Sequence, residues 1–162
     1  MLRKKIEGEA VNTLSGYGYD AISALSTFGP KGLVAEGEAA TYLKLCQSGI
    51  DAVITFALVP KGKAGYYDSP GQFVQTNNYY YDRIWAYKRM QAEMADNGPE
   101  DEYHWESILF DLLTLQAITT LQTGSFTKDN QQKFTDNLVS HVIKKMRQEK
   151  VISKKSPTLK AF

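Results

Sequence analysis

Hydrophobic positions along this chain switch between two periods, and one composite pattern occurs twice. Leu2, Ile6, Ala10 and Leu14 recur every fourth residue, with Arg3, Lys4, Lys5, Glu7 and Glu9 between them. That spacing lines the apolar side chains along one helical stripe, which Gly16 and Gly18 close. Then come Gly18-Tyr19-Asp20, a run of small, apolar and β-branched residues from Ala21 to Phe28, and Gly29-Pro30-Lys31-Gly32. The order returns: Ala39 and Leu43 lie along a helical stripe within residues 36–48, followed by Gly49-Ile50-Asp51, an apolar run to Val59, and Pro60-Lys61-Gly62. Each copy reads as helix, tight turn, strand and stop. Two strands that each follow a helix predict a parallel pair, with the 36–48 helix as the crossover. The run from Asp51 to Val59 is the most hydrophobic of the chain and is expected to be the central strand.

After Pro60 the pattern changes. Residues 61–78 are rich in Gly, Lys, Tyr, Asp, Ser, Pro and Asn, which predicts a long exposed loop. Tyr79 to Met90 alternates as a long strand would, and Gln91 to Asp101, around Asn97-Gly98-Pro99, reads as a turn region. Glu102 to Leu113 is a second strand, Leu115-Gln116 a short reversal, and Ala117 to Phe126 a third strand. Local connections between the three predict an antiparallel meander. Thr127 or Asp129 can cap a last helix, in which Phe134, Leu138, Val142 and Met146 fall at intervals of four. Lys144, Lys145, Arg147 and Lys150 gather at its C-terminal end, where the helix dipole favours positive charge. The expected fold class is thus α/β in the α+β sense: a mixed sheet with two parallel strands from tandem helix-strand units, a three-stranded antiparallel meander and a C-terminal helix. Residues 1–152 are expected to form one domain, with Val151 and Ile152 as a final anchor and 153–162 as a loosely held tail.

Composition narrows the function classes. The chain has 162 residues, 43% hydrophobic and 23% charged, enough for a core that needs no covalent staples. A net charge of +1 gives no whole-molecule reason to expect nucleic acid or an acidic membrane surface as partner. The single cysteine, Cys46, excludes an intrachain disulfide and a cysteine-only metal site, and it sits in a helical stretch as a small apolar residue would. No apolar run reaches the length of a membrane span, and residues 1–7 lack the apolar middle of a signal peptide. A helix at residues 2–17 would ordinarily follow a strand. Either the sheet begins at Asp20, or a strand and any export signal lie upstream of Met1.

Two groups of residues are candidates for a binding site. Read as a strand, Tyr79, Tyr81, Arg83, Trp85, Tyr87 and Arg89 share one face at period two, where aromatic rings and guanidinium groups could stack on a flat ligand. The same residues suit cross-strand packing on a half-exposed sheet, with Glu102 and Glu106 pairing with the arginines. Lys31, Lys61 and Lys63, near Gly32, Gly62 and Gly65, lie where open parallel sheets collect ligands and could hold an anion. Residues 60–65 nevertheless lack the spacing of a phosphate-binding P-loop. His104 and Glu106 face the same way on a strand, but a third metal ligand is not evident. Asp111 precedes a turn and is placed to bond local amides. His141 flanks the stripe of the last helix, and no nucleophile-elbow spacing occurs. No catalytic constellation, metal site or cofactor is expected.

Taken together, Arg3-Lys4-Lys5-Ile6-Glu7 opening the first helix, Gly18-Tyr19-Asp20-Ala21, Gly49-Ile50-Asp51-Ala52-Val53-Ile54, Ile108-Leu109-Phe110-Asp111-Leu112, Thr123-Gly124-Ser125-Phe126 and the closing helix resemble a group of bacterial cell-envelope lipoproteins, mostly of unassigned function. Their α/β domain is similar to the TolB N-terminal domain and to the related domain of the curli-secretion lipoprotein. The resemblance implies a strand, a signal and a lipidated cysteine ahead of the first helix. It also implies a periplasmic or outer-membrane-tethered location, with the membrane reached only through that anchor. Without such a segment the location would be cytoplasmic. The leading expectation is a non-enzymatic domain acting through a protein partner. The alternative is a soluble binding protein for a small anionic or aromatic ligand, held by the 61–78 loop and the Tyr79–Arg89 face.

Overall fold

The repeated helix-turn-strand unit does not fold the same way twice. The computed structural model describes residues 2–30, 37–60, 80–97 and 102–153. Among them, the order is α1 (Leu2–Gly16), α2 (Ala24–Phe28), α3 (Glu38–Gln47), β1 (Ala52–Pro60), α4 (Tyr80–Asn97), β2 (Tyr103–Asp111), β3 (Ala117–Gln122), a 3-10 turn (Lys128–Asn130), α5 (Gln131–Asp136) and α6 (Leu138–Gln148). The protein is mixed α/β, and its described strands form one three-stranded antiparallel sheet of order β1-β2-β3. The chain divides into two compact units, residues 1–35 with 135–162, and residues 36–134.

In the first unit, the expected strand from Ala21 to Phe28 is instead the short helix α2. Ser23 stands at its N-cap in an extended conformation and accepts a hydrogen bond from the Ser26 N–H at 3.1 Å. The Glu7 carboxylate of α1 accepts from the Ser23 hydroxyl at 2.6 Å and from the Leu25 N–H at 2.8 Å, meeting a second donor that a helix start leaves open. Gly29, at φ +78°, ends the helix where a side chain would be strained. Small residues such as Ala24 and Ser26 resist none of this, and caps outweigh a weak strand preference.

Helix α1 packs on α6, burying Ile6 and Ala10 on one side and Leu138, Val139, Val142, Ile143 and Met146 on the other. Arg147 lies 4.5 Å over the Tyr17 ring while its Nη1 donates to the Tyr17 hydroxyl at 2.9 Å. Ile152 is buried and the Ser153 N–H donates to the Tyr19 hydroxyl at 3.0 Å, so the anchor after the last helix is present. That helix is not continuous back to Phe134. Asn137 interrupts it, and Thr127 precedes the 3-10 turn without a side-chain capping bond. The predicted tail beyond Ser153 lies outside the described residues.

In the second unit β1 pairs antiparallel with β2, from Ala52 opposite Asp111 to Pro60 opposite Tyr103. The expected parallel pair is therefore absent from the described residues. With Ala24–Phe28 helical, no strand precedes β1 among the described residues, and it pairs with one from later in the chain. Among the described strands β1 also lies at the edge of the sheet rather than its centre. The central place belongs to β2, every residue of which from Tyr103 to Phe110 is buried. The described strands make an antiparallel sheet of three but not the expected meander, because its first member is β1 and α4 lies between β1 and β2. Residues 80–97, expected to supply that member and a turn region, form α4.

Side chains of β1 and β2 that point to one sheet face meet α4. Tyr80 and Tyr81 pack with Ile108 and Phe110, flanked by Val53 and Ile84, while Ala86 and Met90 pack with Val59 and Ala57. The N-terminus of α4 is tied to the β2-β3 reversal, because the Tyr80 N–H donates to the Leu115 carbonyl at 2.9 Å. Leu115 reaches that position with φ at +59°, a left-handed conformation costly for a leucine.

Burial alone would raise the Glu7 carboxyl, but hydrogen bonds from Ser23 and Leu25 and the neighbouring Arg3 outweigh it and hold it below its ordinary value of 4.5. A carboxyl depressed in the folded state stabilises the fold above its unfolded value, and the gain is lost as pH falls through the folded one. Glu7→Gln should therefore cost about 1–2 kcal/mol in denaturant unfolding at neutral pH. The difference from wild type should close as the pH falls below 4.5. An equal difference at pH 7 and in strong acid would contradict this.

Candidate functional site

The period-two aromatic and arginine pattern that predicted a ligand-binding strand face lies on a helix. Successive side chains of α4 rotate by about 100°, so residues two apart do not share a face. Tyr81, Arg83 and Tyr87 turn toward the sheet, and Trp85 and Arg89 point away from it. Tyr79 lies outside the described residues, as do Lys31, Lys61 and Lys63 with the 61–78 loop. A helical stripe was present at Tyr80, Arg83, Tyr87, Met90 and Met94, and the helix-favouring run Arg89-Met90-Gln91-Ala92-Glu93-Met94-Ala95 continues past the expected turn. The tyrosines and tryptophan suggested a strand more strongly than that stripe suggested a helix.

The inward residues build a buried polar network. Arg83 and Glu106 both have side chains at 0% exposure and form a salt bridge between Arg83 Nη2 and Glu106 Oε1. Arg83 Nε also donates to Glu106 Oε1 at 2.7 Å. The Tyr87 hydroxyl donates to the same oxygen at 2.6 Å, and Gln122 Nε2 of β3 donates to Glu106 Oε2 at 3.1 Å. Arg83 Nε lies 3.3 Å from the Tyr87 hydroxyl, and its guanidinium carbon sits 5.3 Å from the Tyr87 ring centre. Both carboxylate oxygens are thus occupied by groups from α4 and β3. The arginine–glutamate pairing anticipated between strands exists between a helix and a strand.

Burial, followed by the charge of Glu106, pushes the Tyr87 hydroxyl well above its ordinary value, so it stays a donor across the accessible pH range. His104, beside Glu106 on β2, is held below its ordinary value by burial first; the Glu106 charge opposes this and Arg83 adds to it. Its imidazole is therefore neutral at pH 7. Among the described residues no group of three or more His, Cys, Asp or Glu side chains is arranged to hold a metal ion. Asp111 does what its position before a turn implied: Oδ1 accepts from the Leu113 N–H at 2.8 Å and Oδ2 from the Thr114 hydroxyl at 3.2 Å. His141 is exposed on α6, and Cys46 is exposed rather than packed as a small apolar residue. On the opposite face of β2, Trp105 Nε1 and Ser107 Oγ are buried with no hydrogen-bond partner among the described residues.

Of the described candidates, those that remain accessible lie on the outer surface of α4. Trp85 is 57% exposed, Lys88 Nζ lies 4.9 Å from its ring centre, and Asp82 and Arg89 are exposed one turn before and after it. A tryptophan flanked by cations and a carboxylate suits a contact surface that is apolar at its centre and polar at its rim. A scan against protein-family models and searches of curated proteins and of solved structures returned no match to the chain.

Removing one member of a buried ion pair strands the other without solvent. Arg83→Met or Glu106→Leu alone should each lower stability by about 3–5 kcal/mol, whereas the double replacement should recover most of that loss. Chemical denaturation of the four proteins of this double-mutant cycle checks it. Additive losses would show that the pair contributes nothing as a unit.

Proposed function

We propose that this chain is a non-enzymatic domain that acts through protein contacts, with the outer surface of α4 as the contact site. The observation that carries the reading is the exposed Trp85 beside Lys88 and Arg89. Tryptophan and arginine are the residue types that concentrate binding energy at protein interfaces, and burying a half-exposed indole is a large apolar gain. Arg83, Glu106, Tyr87 and Gln122, which could have served chemistry at a surface, are committed to holding α4 on the sheet.

The reading as a soluble binding protein for a small anionic or aromatic ligand required Tyr81, Arg83 and Tyr87 on one surface with Trp85 and Arg89. Helix α4 separates them, so the protein-contact reading is the better supported. The setting we propose is the bacterial cell envelope, in the periplasm or tethered to the outer membrane through an N-terminal lipid. This rests on the resemblance of the segments around Asp20, Asp51 and Phe110 to cell-envelope lipoproteins. Among the described residues, no helix is long and apolar enough to cross a membrane, and the lipid anchor is the membrane contact this reading calls for.

Tagged protein incubated with a solubilised envelope fraction should retain a partner in stoichiometric amount. Trp85→Ala should weaken that complex by about 2 kcal/mol or more, while its unfolding curve shifts by no more than about 0.5 kcal/mol. Equal retention by wild type and Trp85→Ala, or no stoichiometric partner for either, would overturn the assignment of α4 as the contact site.

A further inference from the structure

β1 has the composition of a central strand and, among the described strands, the position of an edge strand. Its nine residues, Ala52-Val53-Ile54-Thr55-Phe56-Ala57-Leu58-Val59-Pro60, contain no charge, and the only proline is the last residue. Its register with β2 runs from Ala52 to Pro60 without a bulge. Natural edge strands are normally short, charged, bulged or interrupted by proline, and β1 has none of these protections within its length. The opposite edge differs: β3 has six residues, is rich in threonine, and its pairing with β2 shifts register at Leu109/Phe110.

Hydrogen-bond parity shows which groups β1 presents outward. The Leu112 N–H donates to the Asp51 carbonyl at 3.0 Å, so the Asp51–Leu112 pair is a hydrogen-bonded one. Alternation then directs the N–H and C=O groups of Val53, Thr55, Ala57 and Val59 to β2. Those of Ala52, Ile54, Phe56 and Leu58, and the Pro60 carbonyl, point away from the sheet. The β3 side follows the same rule independently, since the Thr123 N–H donates to Trp105 at 2.9 Å and odd-numbered β2 residues face β3. Among the described residues no backbone hydrogen bond reaches the outward groups of β1.

We infer that β1 is a self-association edge, on which the β1 strand of a second copy of this chain pairs antiparallel across a two-fold axis at Phe56. The middle residue of the nine is one of the outward-pointing ones, so a two-fold there overlaps both strands over their whole length. Phe56 meets Phe56 of the second copy and Ile54 meets Leu58 in hydrogen-bonded pairs; Val53 meets Val59 and Thr55 meets Ala57 in the closer pairs between. Ala52 falls opposite Pro60, which puts the missing proline N–H at the end of the ladder. Hydrophobic character is therefore nearly palindromic about Phe56, as a two-fold interface between identical surfaces demands. No charge opposes a like charge within the strand, and the molecule's net charge of +1 adds little repulsion. The product is a continuous six-stranded sheet. This contact is separate from the outer surface of α4, and either can fail without the other.

The test combines sedimentation equilibrium with residue-resolved amide exchange on the full chain from low to high micromolar concentration. Expected is a monomer–dimer equilibrium in which the Ile54, Phe56 and Leu58 amides become protected by about tenfold or more as the dimer fills. Ile54→Pro removes an outward donor only, and Phe56→Lys places a cation opposite itself; both should be monomeric. Mixing Phe56→Lys with Phe56→Glu should restore a dimer, seen as a heterodimer by native mass spectrometry. Should a variant unfold, the wild-type amides still decide. A monomer at every concentration, a dimer with those three amides unprotected, or protection independent of concentration would each overturn the proposal.

Discussion

The buried pair Arg83–Glu106 fixes how the second unit is assembled. A guanidinium and a carboxylate with no solvent can share an interior only if each supplies what the other has lost, and the pair is bracketed by Tyr87 and Gln122 for that purpose. Arg83 comes from α4, Glu106 from the middle of β2 and Gln122 from β3, so one set of hydrogen bonds reaches three elements. Apolar packing of Tyr80, Tyr81, Ala86 and Met90 on the sheet supplies adhesion without direction. The polar network supplies register, since sliding α4 by one turn would bury both charges unpaired.

That constraint also explains what is left for contacts outside the molecule. With Arg83 and Tyr87 turned inward, α4 shows Trp85, Lys88 and Arg89 on its other side, and the sheet shows an edge strand whose outward amides have no partner among the described residues. The two proposed contacts use these two surfaces: one a compact apolar centre with a charged rim, the other a backbone ladder. The first unit is held by different contacts. Its α1–α6 pairing is closed by the Arg147–Tyr17 stack, and the Glu7 carboxylate ties α1 to the start of α2.

Much of the architecture was legible where a single periodicity dominated. The stripe Leu2, Ile6, Ala10, Leu14 forms α1, and the runs that became β1, β2 and β3 are strands with ends moved by a few residues. Asp111 serves the turn it precedes, and Glu106 does pair with an arginine. The failures have physical causes. Ala21 to Phe28 lacks enough β-branched bulk to resist a cap built from Ser23 and from Glu7, sixteen residues upstream, and a long-range cap leaves no local trace. Tyr79 to Met90 carries both a period-two aromatic pattern and a helical stripe. Arg83 occupies a stripe position where a hydrophobic residue is ordinarily sought, so the stripe was concealed by the very residue that anchors the helix. The candidate ligand face disappeared with the strand, while Trp85 and Arg89 kept their exposure.

Nitrogen-15 NMR of the Arg83 Nε–H group in the folded protein tests most directly whether this ion pair organises the unit. The account predicts a resolved, slowly exchanging Hε resonance at neutral pH with a through-hydrogen-bond coupling to the Glu106 carboxylate, unchanged by added salt because the pair is shielded from solvent. An Arg83 Hε that exchanges with water as fast as that of the exposed Arg89, or one broadened by salt, would contradict it.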